Sequence, residues 1–113
     1  MFKLKRIYEK YNKGDGYRVL IDRLWPRGIK KSEAKIDLWI KEIAPSTELR
    51  QWFGHDPKKW NGFENKYKKE LKLNKELIGS LKKLNKEHKI VTLLYAAKDE
   101  EHNNAVVLKE IIE

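Results

Sequence analysis

Residues 90–96 read Ile90-Val91-Thr92-Leu93-Leu94-Tyr95-Ala96 (IVTLLYA), the most apolar segment of the chain. It is short, β-branched at its start and carries no alternating polar face. Such a run reads as a strand buried on both sides. A doubly buried strand needs a layer on each face, so it points to an α/β architecture. Tyr17 to Asp22 (YRVLID) has the same character and reads as a second central strand.

Phe2 to Tyr8 (FKLKRIY) alternates apolar and basic residues, as in a half-exposed strand. The turn cluster at 12–16 links it to Tyr17 through a segment too short for a crossover helix. Antiparallel pairing of these two strands is therefore the expectation. Lys35 to Ile40 (KIDLWI) fits either period, and a strand is favoured. Ser46 is expected to cap a helix that runs through Phe53 and stops at Gly54. Asp56 and Pro57 open the next helix, with Trp60, Phe63, Tyr67 and Leu71 on one face. After Asn74, Leu77, Ile78, Leu81 and Leu84 continue the pattern on a further helix. Asp99 is expected to cap the last helix, which carries Ala105, Leu108, Ile111 and Ile112. The expectation is an α/β fold: one small domain over residues 1–113, with a mixed, mostly parallel sheet of about four strands flanked by helices.

The 113 residues contain no Cys, which removes disulfides, thiolate nucleophiles and Cys-ligated metals. No apolar run has the length of a signal peptide core or a membrane span, so a cytoplasmic protein without a membrane partner is expected. The net charge of +9 falls in two blocks. Residues 58–89 hold eleven bases, all Lys, with four acids, the look of a solvated helical face. Residues 1–31 hold ten bases and three acids, and here stand four of the five Arg: Arg6, Arg18, Arg23 and Arg27. Arg suits two-pronged anion contacts better than Lys does.

Two stretches offer chemistry. Asp22-Arg23-Leu24-Trp25-Pro26-Arg27-Gly28 follows a central strand at the carboxyl end, the edge where open α/β sheets bind ligands. Ala96 to Asn104 also runs from a strand end toward a helix, and helix starts attract anions. His102 there could act as base, donor or ligand. His55-Asp56-Pro57, with Trp52 and Trp60, is a third candidate, since a His-Asp pair can orient an imidazole. Adjacent residues seldom point the same way and capping explains Asp56 and Pro57, so the structural reading is favoured. His88 is expected on the surface. No two His have ligand spacing, so neither metal nor cofactor is expected. All four Trp lie between residues 25 and 60, as a packing cluster or a platform for bases.

Three stretches, DGYRVLIDRLWPRG (15–28), APSTELRQWFGHDPKKW (44–60) and TLLYAAKDEEHNNAVVL (92–108), occur in an order and spacing that resemble the DUF488 family, in its short, YeaO-like branch. The resemblance covers nearly the whole chain. It implies a small α/β fold and names no reaction. Longer members have a VDVR-like strand end before a Pro-containing loop, matched here by Val19 to Pro26. They also have a CAE-type segment and a later Cys-His-Arg, matched by Tyr95-Ala96-Ala97-Lys98 and by His102-Asn103. Both cysteines of that pattern are missing, so no thiol role carries over. The resemblance favours a strand at residues 36–40 and implies a pocket of Asp22, Arg23, Arg27, Lys98, His102 and Asn103.

These readings combine into one expectation: a small anionic ligand, phosphate- or nucleotide-like, bound at the carboxyl ends of the strands. Arg23 and Arg27 hold the anion, Lys98 and Asn103 back it, and Trp25 stacks on it. Asp22 and His102 are the candidate catalytic acid–base pair. The alternative is a nucleic-acid-binding module that uses the Lys58–Lys89 helical face. A third class is an interaction protein whose Trp cluster packs a dimer.

Overall fold

The computed structural model describes residues 1–113 as one α/β domain. Its strands are β1 (Phe2–Arg6), β2 (Tyr17–Leu20), β3 (Leu38–Trp39) and β4 (Val91–Tyr95). Its helices are α1 (Lys31–Ala34), α2 (Thr47–Phe53), α3 (Trp60–Lys72), α4 (Lys75–Glu87) and α5 (Asn104–Ile112). Short 3₁₀ turns at Lys13–Asp15, Lys41–Ile43 and Pro57–Lys59 join them.

The sheet order is β1-β4-β2-β3 and every pairing is parallel. Strand β4 lies at the centre, and all five of its residues are buried. Its alternation assigns one face to each layer. Leu93 joins Val19, Ile21, Phe63, Tyr67 and Leu108 in the larger core beneath α2 to α5. Leu94 joins Leu20, Ile7 and Ala34 on the opposite face, covered by α1 and its flanking loops. Two-sided cover is why this strand reads as an unbroken apolar run.

Two expectations need correction here. The first two strands do not pair with each other. Both flank β4, and β1 and β2 run parallel on either side of it. Residues 7–16 reach about 33 Å when extended, enough to return along a short strand without a helix. Loop length argued against a crossover helix, but it could not show that a later strand would insert between them. At residues 35–40, only Leu38–Trp39 pair as strand. Lys35 is left-handed at φ 48° and closes α1. Asp37 then substitutes for the ladder: its N–H donates to Arg18 O (2.8 Å), and its carboxylate accepts the Arg18 N–H (2.8 Å).

The helix signals at 46–60 match the coordinates. Ser46 Oγ accepts the Leu49 N–H (3.2 Å), and Gly54 ends α2 at φ 53°. Asp56 accepts the Lys58 N–H (3.0 Å) ahead of Pro57. Phe63, Tyr67 and Leu71 are buried along one side of α3. The last helix starts later than expected. Asn103, not Asp99, caps α5, its Oδ1 accepting the Val106 N–H (3.1 Å). Asp99 instead closes a turn, accepting the N–H groups of Glu101 and His102 (both 2.9 Å). His88 is only half-exposed, because its ring stacks on Tyr17 at 4.3 Å.

Near the amino ends of β2 and β3, a buried ion cluster that Lys5 of β1 joins fastens the sheet. Asp15 accepts Lys5 Nζ (3.0 Å) and Arg18 Nη1. The guanidinium of Arg18 also donates to the carbonyls of Ala34 (2.9 Å) and Lys35 (3.0 Å). No buried side-chain polar atom in the molecule lacks a partner.

Candidate functional site

A cleft of about 730 Å³ opens at the carboxyl ends of β2 and β4. Its walls come from the loop after β2, the start and end of α2, and the loop between β4 and α5. Asp22, Arg23, Trp25, Arg27, Lys98, His102 and Asn103 all line it, so the two stretches singled out above face one hollow. Arg50 and His55 line it as well.

Asp22 is the hinge of the arrangement. Its Oδ2 accepts the Ala96 N–H (2.8 Å) and its Oδ1 accepts Asn104 Nδ2 (3.1 Å). Its carbonyl accepts the Trp39 indole N–H (2.7 Å). Burial pushes the carboxyl above its ordinary value, although the Ala96 and Asn104 bonds and the charges of Arg50 and His55 pull the other way. Asp22 therefore holds two strand ends and α5 together. It makes no hydrogen bond to His102, and the expected acid–base pair is not a bonded pair.

His102 has a different partner. Its Nδ1 lies 2.9 Å from Asp99 Oδ2, and its ring meets Trp60 edge-on at 5.1 Å. The N–H groups of Glu101 and His102, with the imidazole behind them, hold the Asp99 carboxyl below its ordinary value. An ionised carboxylate only accepts, so Nδ1 carries the hydrogen and Nε2 is left as the free nitrogen of the neutral ring. Asp99 read as a helix cap in sequence, because an Asx turn and an N-cap use the same short side chain in the same way.

The cations divide into two kinds. Arg23 is built into the wall, with Nε donating to Pro45 O and Nη2 to Ala44 O (both 3.2 Å). Arg27, Arg50 and Lys98 are exposed and donate no side-chain hydrogen bond within the chain. None of the four forms an ion pair with a carboxylate. Four cations thus face two acids, Asp22 and Asp99, both already committed to internal partners.

The remaining residues are more structural than the sequence suggested. Asn103 is buried, and its Nδ2 donates to Asp99 O (2.9 Å) while its Oδ1 caps α5. Trp25 donates its indole N–H to Ile29 O (2.7 Å) and meets Trp39 edge-on at 5.4 Å. The four Trp form no single cluster. Trp25 and Trp39 lie on one face of the sheet, Trp60 packs with Phe53 and Phe63, and Trp52 stands on the surface. Phe53 and Phe63, stacked at 4.3 Å, contribute apolar wall to the cleft.

Arg50 was missed in sequence because it stands alone, away from the other Arg. No local signal marked it, because which side of α2 faces the cleft depends on how that helix packs. His55 had a competing explanation in the Asp56-Pro57 cap. It is the only residue besides Lys35 with positive φ outside glycine, at 57°, directly after left-handed Gly54. That conformation costs of order 1 kcal/mol in a non-glycine residue and turns the chain at the rim of the cleft.

A family model described as the inactive DUF488-N3 subclade matches residues 1–113. The chain belongs to this DUF488 subclade. Among its relatives is the uncharacterised protein YeaO of Escherichia coli, 43% identical over 106 residues, spanning 94% of this chain and 91% of that protein. An uncharacterised protein of Mycobacterium tuberculosis is 36% identical over 110 residues, spanning 97% and 92% of the two chains. No solved structure matches this DUF488 chain. No helix in it is long and apolar enough to cross a membrane, and no group of three or more His, Asp or Glu is placed to hold a metal ion.

Proposed function

We propose that this DUF488 chain binds a small phosphate- or nucleotide-like anion in the cleft at the carboxyl ends of β2 and β4. The carrying observation is the charge imbalance: Arg23, Arg27, Arg50 and Lys98 line the cleft without a carboxylate partner. Uncompensated cations beside a partly apolar wall focus a positive potential in the cleft and concentrate anions there. Arg27 and Arg50 are the groups free to close on a ligand. Arg23 and Lys98 supply field from the wall and rim. His102, oriented by Asp99, offers Nε2 as an acceptor for a hydroxyl or amino group of the ligand rather than for its ionised oxygens, and Asp22 keeps the walls together.

The description of the subclade as inactive favours binding over turnover. The role of His102 is accordingly recognition of the ligand. A thermal-shift screen of inorganic phosphate, nucleotides and phosphorylated sugars tests the reading, run on wild type beside Arg27→Ala and Arg50→Ala. A ligand present at 100 times its Kd stabilises the protein by about 2.7 kcal/mol, and either substitution reduces that effect at equal concentration. A ligand that stabilises all three proteins equally, or a screen in which none stabilises wild type, contradicts it.

A further inference from the structure

Outside the cleft, the surface between α2 and α3 carries a second aromatic and cationic arrangement. Trp52 is 40% exposed, unusual for the largest side chain of a small domain. The tip of its six-membered ring rests on the backbone of α3 at Gly62, where a Cβ would approach within 2.7 Å. Glycine is a poor helix former, and here its missing side chain is what seats the indole against the helix.

Two lysines clasp the ring. Lys59 Nζ lies 5.3 Å and Lys66 Nζ 5.1 Å from its centroid. Lys59 also donates to Trp52 O (2.9 Å). Neither forms an ion pair, and of the eleven bases in residues 58–89 only Lys68 has a carboxylate partner. Neither Trp52 nor these lysines line the cleft, so the surface stands independently of it.

We infer that Trp52, Lys59 and Lys66 form a docking point for single-stranded nucleic acid. A base stacks on the exposed indole, and the two ammonium groups move to the flanking phosphates. The chemistry selects this partner. An unpaired strand offers both a free base face and a phosphate on either side of it. An acidic peptide would answer the lysines and leave the indole without a use. A bilayer would need further apolar side chains beside Trp52, whereas the groups against its ring are Lys59, Lys66 and the Gly62 backbone.

The test is binding of the intact chain to a short oligo-dT strand across a salt series, by fluorescence anisotropy. Poly-glutamate and anionic lipid vesicles serve as competitors. Trp52→Ala is expected to weaken binding on the order of 5- to 100-fold with an unchanged salt slope. The Lys59→Ala/Lys66→Ala double variant changes only surface side chains. It is expected to flatten the slope of log K against log salt by about 1.4, from roughly 0.7 per phosphate contact. Binding by folded Trp52→Ala as tight as wild type overturns the inference. So does an unchanged salt slope in the double variant, or competition by poly-glutamate or vesicles as effective as by unlabelled oligo-dT.

Discussion

Asp22 Oδ2 accepts the backbone N–H of Ala96 at 2.8 Å, joining the ends of two adjacent strands 74 residues apart in the chain. The bond extends the β2–β4 ladder two residues past its last pair, Leu20 and Leu94, with a side chain in place of a carbonyl. It also sets where the cleft opens, because the two loops diverge from that point.

The sign of the Asp22 effect on stability follows from burial. Its folded pKa is raised, so the folded state holds the proton more tightly than the unfolded chain, whose value is near 3.8. Wild-type stability from this group is fully present below that value and is lost as pH rises through the folded value. Asp22→Asn removes this dependence. Urea unfolding of both proteins between pH 3 and 7 should show the variant gaining on wild type as pH rises. A difference that moves the other way contradicts the assignment.

Asp15 behaves oppositely. Burial pushes its carboxyl up, but hydrogen bonds from Lys5, the Asn12 N–H and Arg18 together hold it below 3.8. Its contribution is present above that value and is lost as pH falls through the lowered one. Arg18 is only 2% exposed, so Asp15→Ala leaves a buried guanidinium short of its counter-charge. A loss of about 3–5 kcal/mol in denaturant unfolding is expected. A loss under 1 kcal/mol would mean that water or another group replaces the carboxylate.

The late start of α5 makes Asn103 its cap. Asn103→Ala should destabilise the chain by about 1–2 kcal/mol through loss of the cap, and should loosen the Asp99 turn it donates to. Asp99→Ala leaves the α5 cap intact. Equal losses from the two substitutions would argue that Asp99, not Asn103, supports the helix.

The His102–Asp99 pair fixes a tautomer. Nitrogen-15 NMR of the ring should find neutral His102 protonated at Nδ1, with Asp99→Ala shifting the population toward the Nε2–H form that dominates in free imidazoles. An Nε2–H ring in wild type would present a donor to the cleft and contradict the acceptor role given to His102.

The physics also explains what was legible in the sequence. Local signals survived: Ser46, Gly54, Asp56 and Pro57 act within a few residues, and the doubly buried strands are marked by their own composition. Partner choice did not survive, because nothing near residue 16 records that residues 91–95 will insert between the first two strands. At 35–40 a strand does form but is shorter than expected, because the Asp37 carboxylate accepts the Arg18 N–H where a strand would present a carbonyl. At the cleft, Arg23, Arg27, Lys98 and His102 were found from their place after strand ends. Arg50 was not, since it reaches the cleft from a helix whose packing the sequence does not state, and His55, in the loop after α2, was read chiefly as part of a cap.

The most direct test of the anion cleft is an amide nitrogen–proton NMR titration with AMP and with inorganic phosphate. Saturable shifts confined to residues 22–28, 50–55 and 96–104 are expected, reduced in Arg27→Ala and Arg50→Ala. Shifts centred elsewhere, or none at millimolar ligand, would contradict anion binding there.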